Sequence, residues 1–194
     1  MTRRLKILAA LLLSTLALTS AGPADDGHWY AGDYSFSDEL GGFRILAVSG
    51  IGTLDDPIEI REELYSADPV TLVIRAAPPT GPLKLPEGAF HLSVIAKNKS
   101  GLPWIEFEFE LQEVRGKASD FYDGLSFDQV NPNPAFISSD RFAAFDNRFE
   151  SFDRLRFKEG HVDPKDRVRF GFFVTDVTPV PVFYLLQDPH VPFS

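Results

Sequence analysis

Residues 104–114 read Trp-Ile-Glu-Phe-Glu-Phe-Glu-Leu-Gln-Glu-Val, and this alternation decides the fold class. The apolar residues share one parity: Ile105, Phe107, Phe109 and Leu111. Successive side chains of a β-strand point to opposite faces, so a period of two predicts a strand with one buried and one solvated face. An α-helix would distribute the same side chains around its circumference. We therefore predict a long strand that contributes two phenylalanines to a core.

Shorter runs with related patterns occur at residues 43–48, 58–64, 70–76 and 168–175. Fifteen prolines and 14 glycines punctuate the chain, which is typical of a domain with many turns. Eight to ten short strands are expected. This pattern predicts an all-β fold, a single antiparallel β-sandwich of immunoglobulin-like or jelly-roll type, over residues 22–194. A closed barrel is the alternative.

Two hairpins are predicted within this sandwich. Residues 90–97 and the opening strand are separated by a turn at residues 98–101, which favours a central hairpin. The tripeptide Asp-Arg-apolar recurs at residues 140, 153 and 166. Its last two copies predict similar hairpin arms joined by a loop at residues 158–165.

One short helix is also expected. Phe142, Phe145, Phe149 and Phe152 are spaced by three, four and three residues, which is helical spacing. Ser139 or Asp140 would cap it. The expectation is therefore a helix near residues 139–149, with an aromatic-rich loop as the alternative.

The N-terminal residues 1–21 have the organisation of a signal peptide. Arg3, Arg4 and Lys6 precede an apolar run at residues 7–18, and small residues follow. Cleavage is expected after Ala21, with Ala24 as the second choice. The ordinary secretory route is favoured over a twin-arginine route. The apolar run is shorter than the roughly 20 residues that span a bilayer, and no second one follows, so the mature chain should have no membrane span.

Charge and cysteine content restrict the class of protein. The chain carries a net charge of −9, and removal of the leader would leave 16 basic and 28 acidic residues, a net charge of −12. Such a charge argues against nucleic acid as a partner. The absence of cysteine excludes disulfides, thiol nucleophiles and Cys-type zinc sites. The short basic leader looks bacterial, so the expected location is periplasmic or secreted.

Four aromatic residues are candidates for binding a ligand. An exposed aromatic platform can stack a sugar ring or hold a protein partner. The side chains expected to be partly exposed are Trp29, Tyr30, Tyr34 and Trp104, of which the last lies on the solvated parity of its strand. The alternative is that a tryptophan at a strand end closes the core.

Two groups of acidic residues suggest other chemistry. Asp120, Asp123 and Asp128 surround Gly124 and could hold calcium, the one cofactor considered, although loop aspartates also stabilise turns. Glu106, Glu108 and Glu110 could resemble the paired carboxylates of a glycosidase. A solvated acidic face with Arg156, Arg167 and Arg169 as cross-strand partners is the simpler interpretation.

The pattern Asn98-x-Ser100-Gly101-x-x-Trp104-x-x-Phe107 resembles a hairpin of secreted bacterial β-sandwich modules that have no assigned activity. This resemblance implies a sandwich and export, and it carries no active site. The sequence contains neither a phosphate-binding loop nor a nucleophile elbow.

We therefore expect a non-enzymatic binding or interaction module with a protein or carbohydrate partner. A calcium-stabilised surface or adhesion module is the second hypothesis. A jelly-roll glycoside hydrolase is the third.

Overall fold

The computed structural model describes residues 22–77, 88–120, 122–127, 133–147 and 152–192. Two β-sheets pack face to face and form an all-β sandwich, as the sequence predicts. The strands in chain order are β1 (Trp29–Ala31), β2 (Tyr34–Ser37), β3 (Phe43–Ser49), β4 (Ile58–Leu64), β5 (Val70–Ala76), β6 (Ala89–Asn98), β7 (Glu106–Gln112), β8 (Leu125–Ser126), β9 (Ser138–Ser139), β10 (Phe142–Asp146), β11 (Arg154–Gly160), β12 (Arg167–Asp176) and β13 (Val182–His190).

The larger sheet has seven strands in the order β1-β2-β5-β13-β7-β11-β10. Strand β7 is the alternating stretch that predicted the fold, and it lies between β13 and β11, antiparallel to both. Its Phe107, Phe109 and Leu111 are completely buried, as the predicted inward parity requires, whereas Ile105, which precedes the strand, is 38% exposed and does not follow that prediction. Its glutamates point to the outer face of this sheet.

The smaller sheet has six strands, with the path β3-β4-β6-β12-β8 and with β9 paired to β12. Its β4–β6 pair is parallel, whereas the other pairs are antiparallel. A parallel pair needs a crossover connection. Strand β5, which follows β4 in the chain, belongs to the seven-stranded sheet, so the connection passes through the opposite layer.

Aromatic side chains fill the space between the sheets. Phe170 of the six-stranded sheet contacts Phe107, Phe109 and Phe157 of the other sheet, with ring centroids 4.7–5.0 Å apart. Close-packed aromatic pairs add to the free energy gained by burying their large apolar surfaces. With no cysteine in the chain, this interior is the main cohesive element of the described fold.

Both predicted hairpins are wrong. Strand β6 belongs to the six-stranded sheet and β7 to the seven-stranded sheet, so the turn at residues 98–101 leads from one layer to the other. Strands β11 and β12 are likewise in opposite sheets. Alternation fixes which side of a strand is buried, but it leaves open whether the next strand pairs alongside or packs across the core.

The predicted helix near residues 139–149 is also wrong. Residues 138–139 form β9 and residues 142–146 form β10, which pairs with β11 and places Phe145 opposite Phe157. Pairing at the sheet edge supplies backbone hydrogen bonds and overrides the helical spacing of the phenylalanines. Phe149 lies outside the described residues. The helical turn that the structure does describe is a 3₁₀ turn at Pro134–Phe136.

The proposed signal peptide, residues 1–21, lies outside the described residues. Within the described part of the chain, no helix has the length and apolar character needed to cross a membrane.

Candidate functional site

We call Glu106, Glu108 and Glu110 of β7 the glutamate ladder. Its members form ion pairs with arginines of β11. Arg154 Nε lies 2.5 Å from Glu110 Oε2, and Arg156 Nη2 lies 2.6 Å from Glu108 Oε2. Both glutamates are more than nine-tenths buried. Of the predicted cross-strand partners, Arg156 is confirmed, whereas Arg167 and Arg169 lie on β12 of the other sheet. The predicted solvation of Glu108 and Glu110 is wrong. Each of these two carboxylates binds a guanidinium group, which agrees with the ion-pair interpretation of the glutamates.

The predicted aromatic platform is not assembled. Trp104 is completely buried, Trp29 and Tyr34 are 8% and 5% exposed, and Tyr30 is 43% exposed. The Trp104 ring contacts Phe107, and its backbone pairs with Val162. This isolated pairing lies outside the regular strand, so the parity of β7 does not extend to residue 104.

Tyr34 is buried because its ring packs against two phenylalanines. Its ring contacts Phe90 and Phe183, with centroids 4.5 and 6.2 Å away. Tyr30 lies on the edge strand β1, and its hydroxyl donates to Asp26 at 2.7 Å. The predicted exposure is therefore wrong for Trp29, Tyr34 and Trp104, whose rings close the core, and one ring alone does not make a platform.

Asp120 and Asp123 act as turn residues. Asp120 Oδ1 accepts a hydrogen bond from the Tyr122 amide, and Asp123 Oδ1 accepts one from the Leu125 amide. Asp128, the third member of the predicted calcium group, lies outside the described residues. Among the residues that are described, no group of three or more acids or histidines has the spacing of a metal site.

Two more carboxyl groups lie near this turn. Asp153 and Asp176 are buried, and one oxygen of each has no hydrogen-bond partner. Burial, reinforced by the negative charge of Asp123, raises the pKa of both groups, and that of Asp153 reaches about 6. This end of the sandwich therefore concentrates negative charge.

Three arginine side chains lie close together on the outer face of the six-stranded sheet and make it locally positive. Arg61 of β4 and Arg167 and Arg169 of β12 line a depression of about 380 Å³ whose floor includes Ile95. Register explains the convergence, because Ile95 of β6 pairs with Arg61 on one side and with Arg169 on the other. We call these three residues the arginine cluster.

The arginine cluster is only partly neutralised. Glu59 receives Arg61 Nε at 2.8 Å and Arg169 Nη1 at 2.7 Å, so two guanidinium groups share one carboxylate. Burial alone would raise the pKa of Glu59, but hydrogen bonds from these arginines hold it below its usual value. Arg167 forms no side-chain ion pair with any described residue. Asp140, which also lines the depression, accepts the Arg169 backbone amide.

An apolar depression of about 250 Å³ adjoins the arginine cluster, and Arg169 lines both. His91 and Phe136 line the apolar depression, and they belong to an aromatic group with Phe173, in which the His91 ring lies 4.5 Å from Phe173 and 4.9 Å from Phe136. The 3₁₀ turn places Phe136 over the sheet. The outer face thus joins a cationic end to an apolar end.

Sequence reasoning missed this site. The pattern Arg167-Val168-Arg169-Phe170 correctly places both arginines on one face of a strand. The sequence interpretation, however, paired them with the glutamates of β7, which lie in the other sheet. Arg61 joins them only through the parallel pairing of β4 and β6, for which the sequence carries no local signal. Comparison with models of known protein families and with curated proteins found no significant match.

Proposed function

We propose that this protein is an exported, non-enzymatic binding module whose ligand is a small amphipathic anion, a carboxylate or phosphate attached to an apolar group. The ligand binds on the outer face of the six-stranded sheet, with its acid on the arginine cluster and its apolar part on the adjoining aromatic group. The observation that carries this proposal is the convergence of Arg61, Arg167 and Arg169 in a chain with a net charge of −9.

The cationic end suits one acidic group. A guanidinium presents its N–H donors in a planar fork that matches a carboxylate or phosphate, and such charge-assisted bonds are stronger than neutral ones. Three guanidinium groups face two carboxylates, Glu59 and Asp140, which leaves one positive charge to compensate. Arg169 is held in place by Glu59 and by Ser93 Oγ, so little of its freedom remains to be lost on binding.

The apolar end supplies the second contact. His91 and Phe136 present ring surfaces to the depression, Phe173 packs against the His91 ring, and Leu54 and Pro57 extend the apolar wall. Burial of an alkyl or aryl group there would contribute about 0.8 kcal/mol for each methylene removed from water. A ligand with both parts is therefore preferred over a simple anion.

The proposal predicts that 4-phenylbutyrate perturbs the backbone amide resonances of Arg169, Gly171 and Phe173 in a ¹⁵N-labelled sample. The Arg167→Ala variant should bind this probe at least tenfold more weakly, because a charge-assisted hydrogen bond is worth about 1.5–3 kcal/mol. The uncharged 4-phenylbutyramide should bind at least tenfold more weakly to the wild type.

Arg115→Ala is the matched control, since Arg115 is an exposed arginine in the loop after β7 and does not line the depression. It should bind the acid as the wild type does. Equal binding of acid and amide, or perturbations confined to other surfaces, would contradict the proposed site.

A calcium-stabilised module is the second candidate. It is supported by the buried oxygens Asp153 Oδ2 and Asp176 Oδ1, which have no hydrogen-bond partner, and by the negative charge of Asp123, which acts on both carboxyl groups. An ion that binds the native state alone raises stability by mass action. On this hypothesis, millimolar calcium raises the melting temperature by several degrees, EDTA reverses the rise, and Asp153→Asn abolishes it. A melt that calcium leaves unchanged in the wild type removes this candidate.

A further inference from the structure

Glu62 and Gln187 meet in the interior, where every other contact between the sheets described above is apolar. Glu62 is on β4 of the six-stranded sheet and Gln187 on β13 of the other, and they are 1% and 0% exposed. Gln187 Nε2 donates a hydrogen bond to Glu62 Oε2 at 3.1 Å. This polar pair therefore joins the two layers directly.

The single hydrogen bond between Gln187 and Glu62 leaves two buried oxygen atoms without a partner. Glu62 Oε1 and Gln187 Oε1 are both buried, and neither has a hydrogen-bond partner. Two oxygens that only accept cannot satisfy each other, and a buried unsatisfied polar atom costs about 1–3 kcal/mol. A proton on Glu62 Oε1 would turn one of these acceptors into a donor.

The surroundings of Glu62 favour its neutral form. Within the described part of the chain, no cationic side chain faces it. The residues paired beside Glu62 and Gln187 on the adjoining strands are uncharged: Ile45, Ala96, Val70 and Phe109. The charged group that acts on Glu62 is Asp38, in the turn before β3, and its charge has the same sign.

We propose that Glu62 is the neutral acid in the native protein and that its Oε1–H donates to Gln187 Oε1. The planar carboxyl and carboxamide groups then exchange two hydrogen bonds in a closed ring that clamps β4 to β13. One proton is held by this clamp. When solvent base removes it, one of the two bonds is lost and an unpaired negative charge is left in the core, so the union of the sheets becomes sensitive to pH.

The direction of this sensitivity follows from linkage. Burial, with the charge of Asp38, raises the pKa of Glu62 to about 8, although the Gln187 bond opposes the shift. A carboxyl whose pKa is higher in the folded than in the unfolded state stabilises the fold fully below the unfolded value, near 4.5, and this contribution is lost as pH rises through 8. Between pH 6 and pH 9, the unfolding constant should rise about 100-fold through this group alone.

The test compares Glu62→Gln with the wild type in denaturant melts at pH 6, 7, 8 and 9. The variant replaces the acid O–H by an amide N–H, so it can keep both bonds of the ring and has no proton to lose. We expect its unfolding constant at pH 6 to be about 30-fold lower than that of the wild type, because the unfolded wild-type chain already ionises Glu62 at that pH, whereas glutamine has no proton to lose. It should lack the further 100-fold rise up to pH 9. Glu63→Gln is the matched control, because Glu63 is the next residue on β4 and faces outward toward Lys97.

The control should keep the wild-type pH dependence. Burial opposes ionisation of Glu63, but its bond to Lys97 holds its pKa below the usual value, so it does not titrate between pH 6 and 9. A Glu62→Gln variant that keeps the full pH dependence would overturn the proposal.

A second measurement stands even if Glu62→Gln does not fold. In wild-type protein labelled with ¹³C at the glutamate carboxyl carbons, the resonance assigned to Glu62 should titrate between pH 7 and 9. If all glutamate carboxyl groups are ionised at pH 6, the clamp as proposed does not exist.

Discussion

Replacement of Trp104 by alanine is expected to lower the free energy of unfolding by about 4 kcal/mol, within the range typical of Trp→Ala substitutions in cores. Trp104 is completely buried, and its Nε1 donates to Ser100 Oγ at 3.2 Å. The substitution leaves a cavity beside Phe107 and removes one of the hydrogen-bond donors to Ser100 Oγ. Urea denaturation of the two proteins, with equal slopes, would measure the difference.

The neighbouring residue provides the control for this prediction. Alternation along β7 predicts that Ile105 is buried and Trp104 exposed, whereas Ile105 is 38% exposed. Ile105→Ala should therefore cost less than about 1 kcal/mol, as surface substitutions do. If Ile105→Ala proved more costly than Trp104→Ala, the parity inferred from the sequence would be right and the packing of Trp104 wrong.

Arg154→Met is expected to lower the free energy of unfolding by about 3 kcal/mol. The methionine keeps the apolar stem but leaves Glu110 without its guanidinium, and removal of one partner of a buried ion pair strands the other charge. The value lies at the lower end for buried pairs, because the Arg154 side chain is itself 36% exposed and solvent weakens the attraction. Equilibrium denaturation at pH 7 would measure it.

Two further variants test whether the loss of stability comes from the unpaired carboxylate of Glu110. Adding Glu110→Gln to Arg154→Met should recover at least half of the lost stability, since a neutral amide no longer needs the arginine. Arg141→Met should cost less than about 0.5 kcal/mol, because Arg141 lies 3.9 Å from Asp166 in a largely solvated pair. Additive effects of the substitutions at residues 110 and 154 would contradict the ion-pair explanation.

In segments where apolar and polar residues alternate, the sequence correctly predicted which side of each strand is buried. Strands β4 and β5 have the predicted bounds, residues 58–64 and 70–76, and the inward residues of β7 within its strand are those that alternation selected. The reason is local, because successive side chains of any extended chain point to opposite sides. The same rule failed at Trp104, where the chain leaves the regular strand.

The pairing of strands was not predictable in this way. The sequence contains two alternating segments around the turn at residues 98–101, and either a hairpin or a step between layers buries the same residues. The step occurs because β6 finds its partners in β4 and β12, which are distant in the chain. The 3-4-3 spacing of phenylalanines near residue 145 likewise predicted a helix, whereas the segment forms β10 and pairs with β11.

Both proposed sites depend on this pairing. The amino-acid sequence by itself determined an all-β fold, the buried faces of its main strands, a net negative charge and the absence of disulfides. Only the tertiary structure brought Arg169 to Glu59, 110 residues away, and Gln187 to Glu62, 125 residues away. Side-chain alternation acts between neighbours in the chain, whereas strand order depends on the total apolar area buried and the backbone hydrogen bonds formed, and these are properties of the whole sandwich.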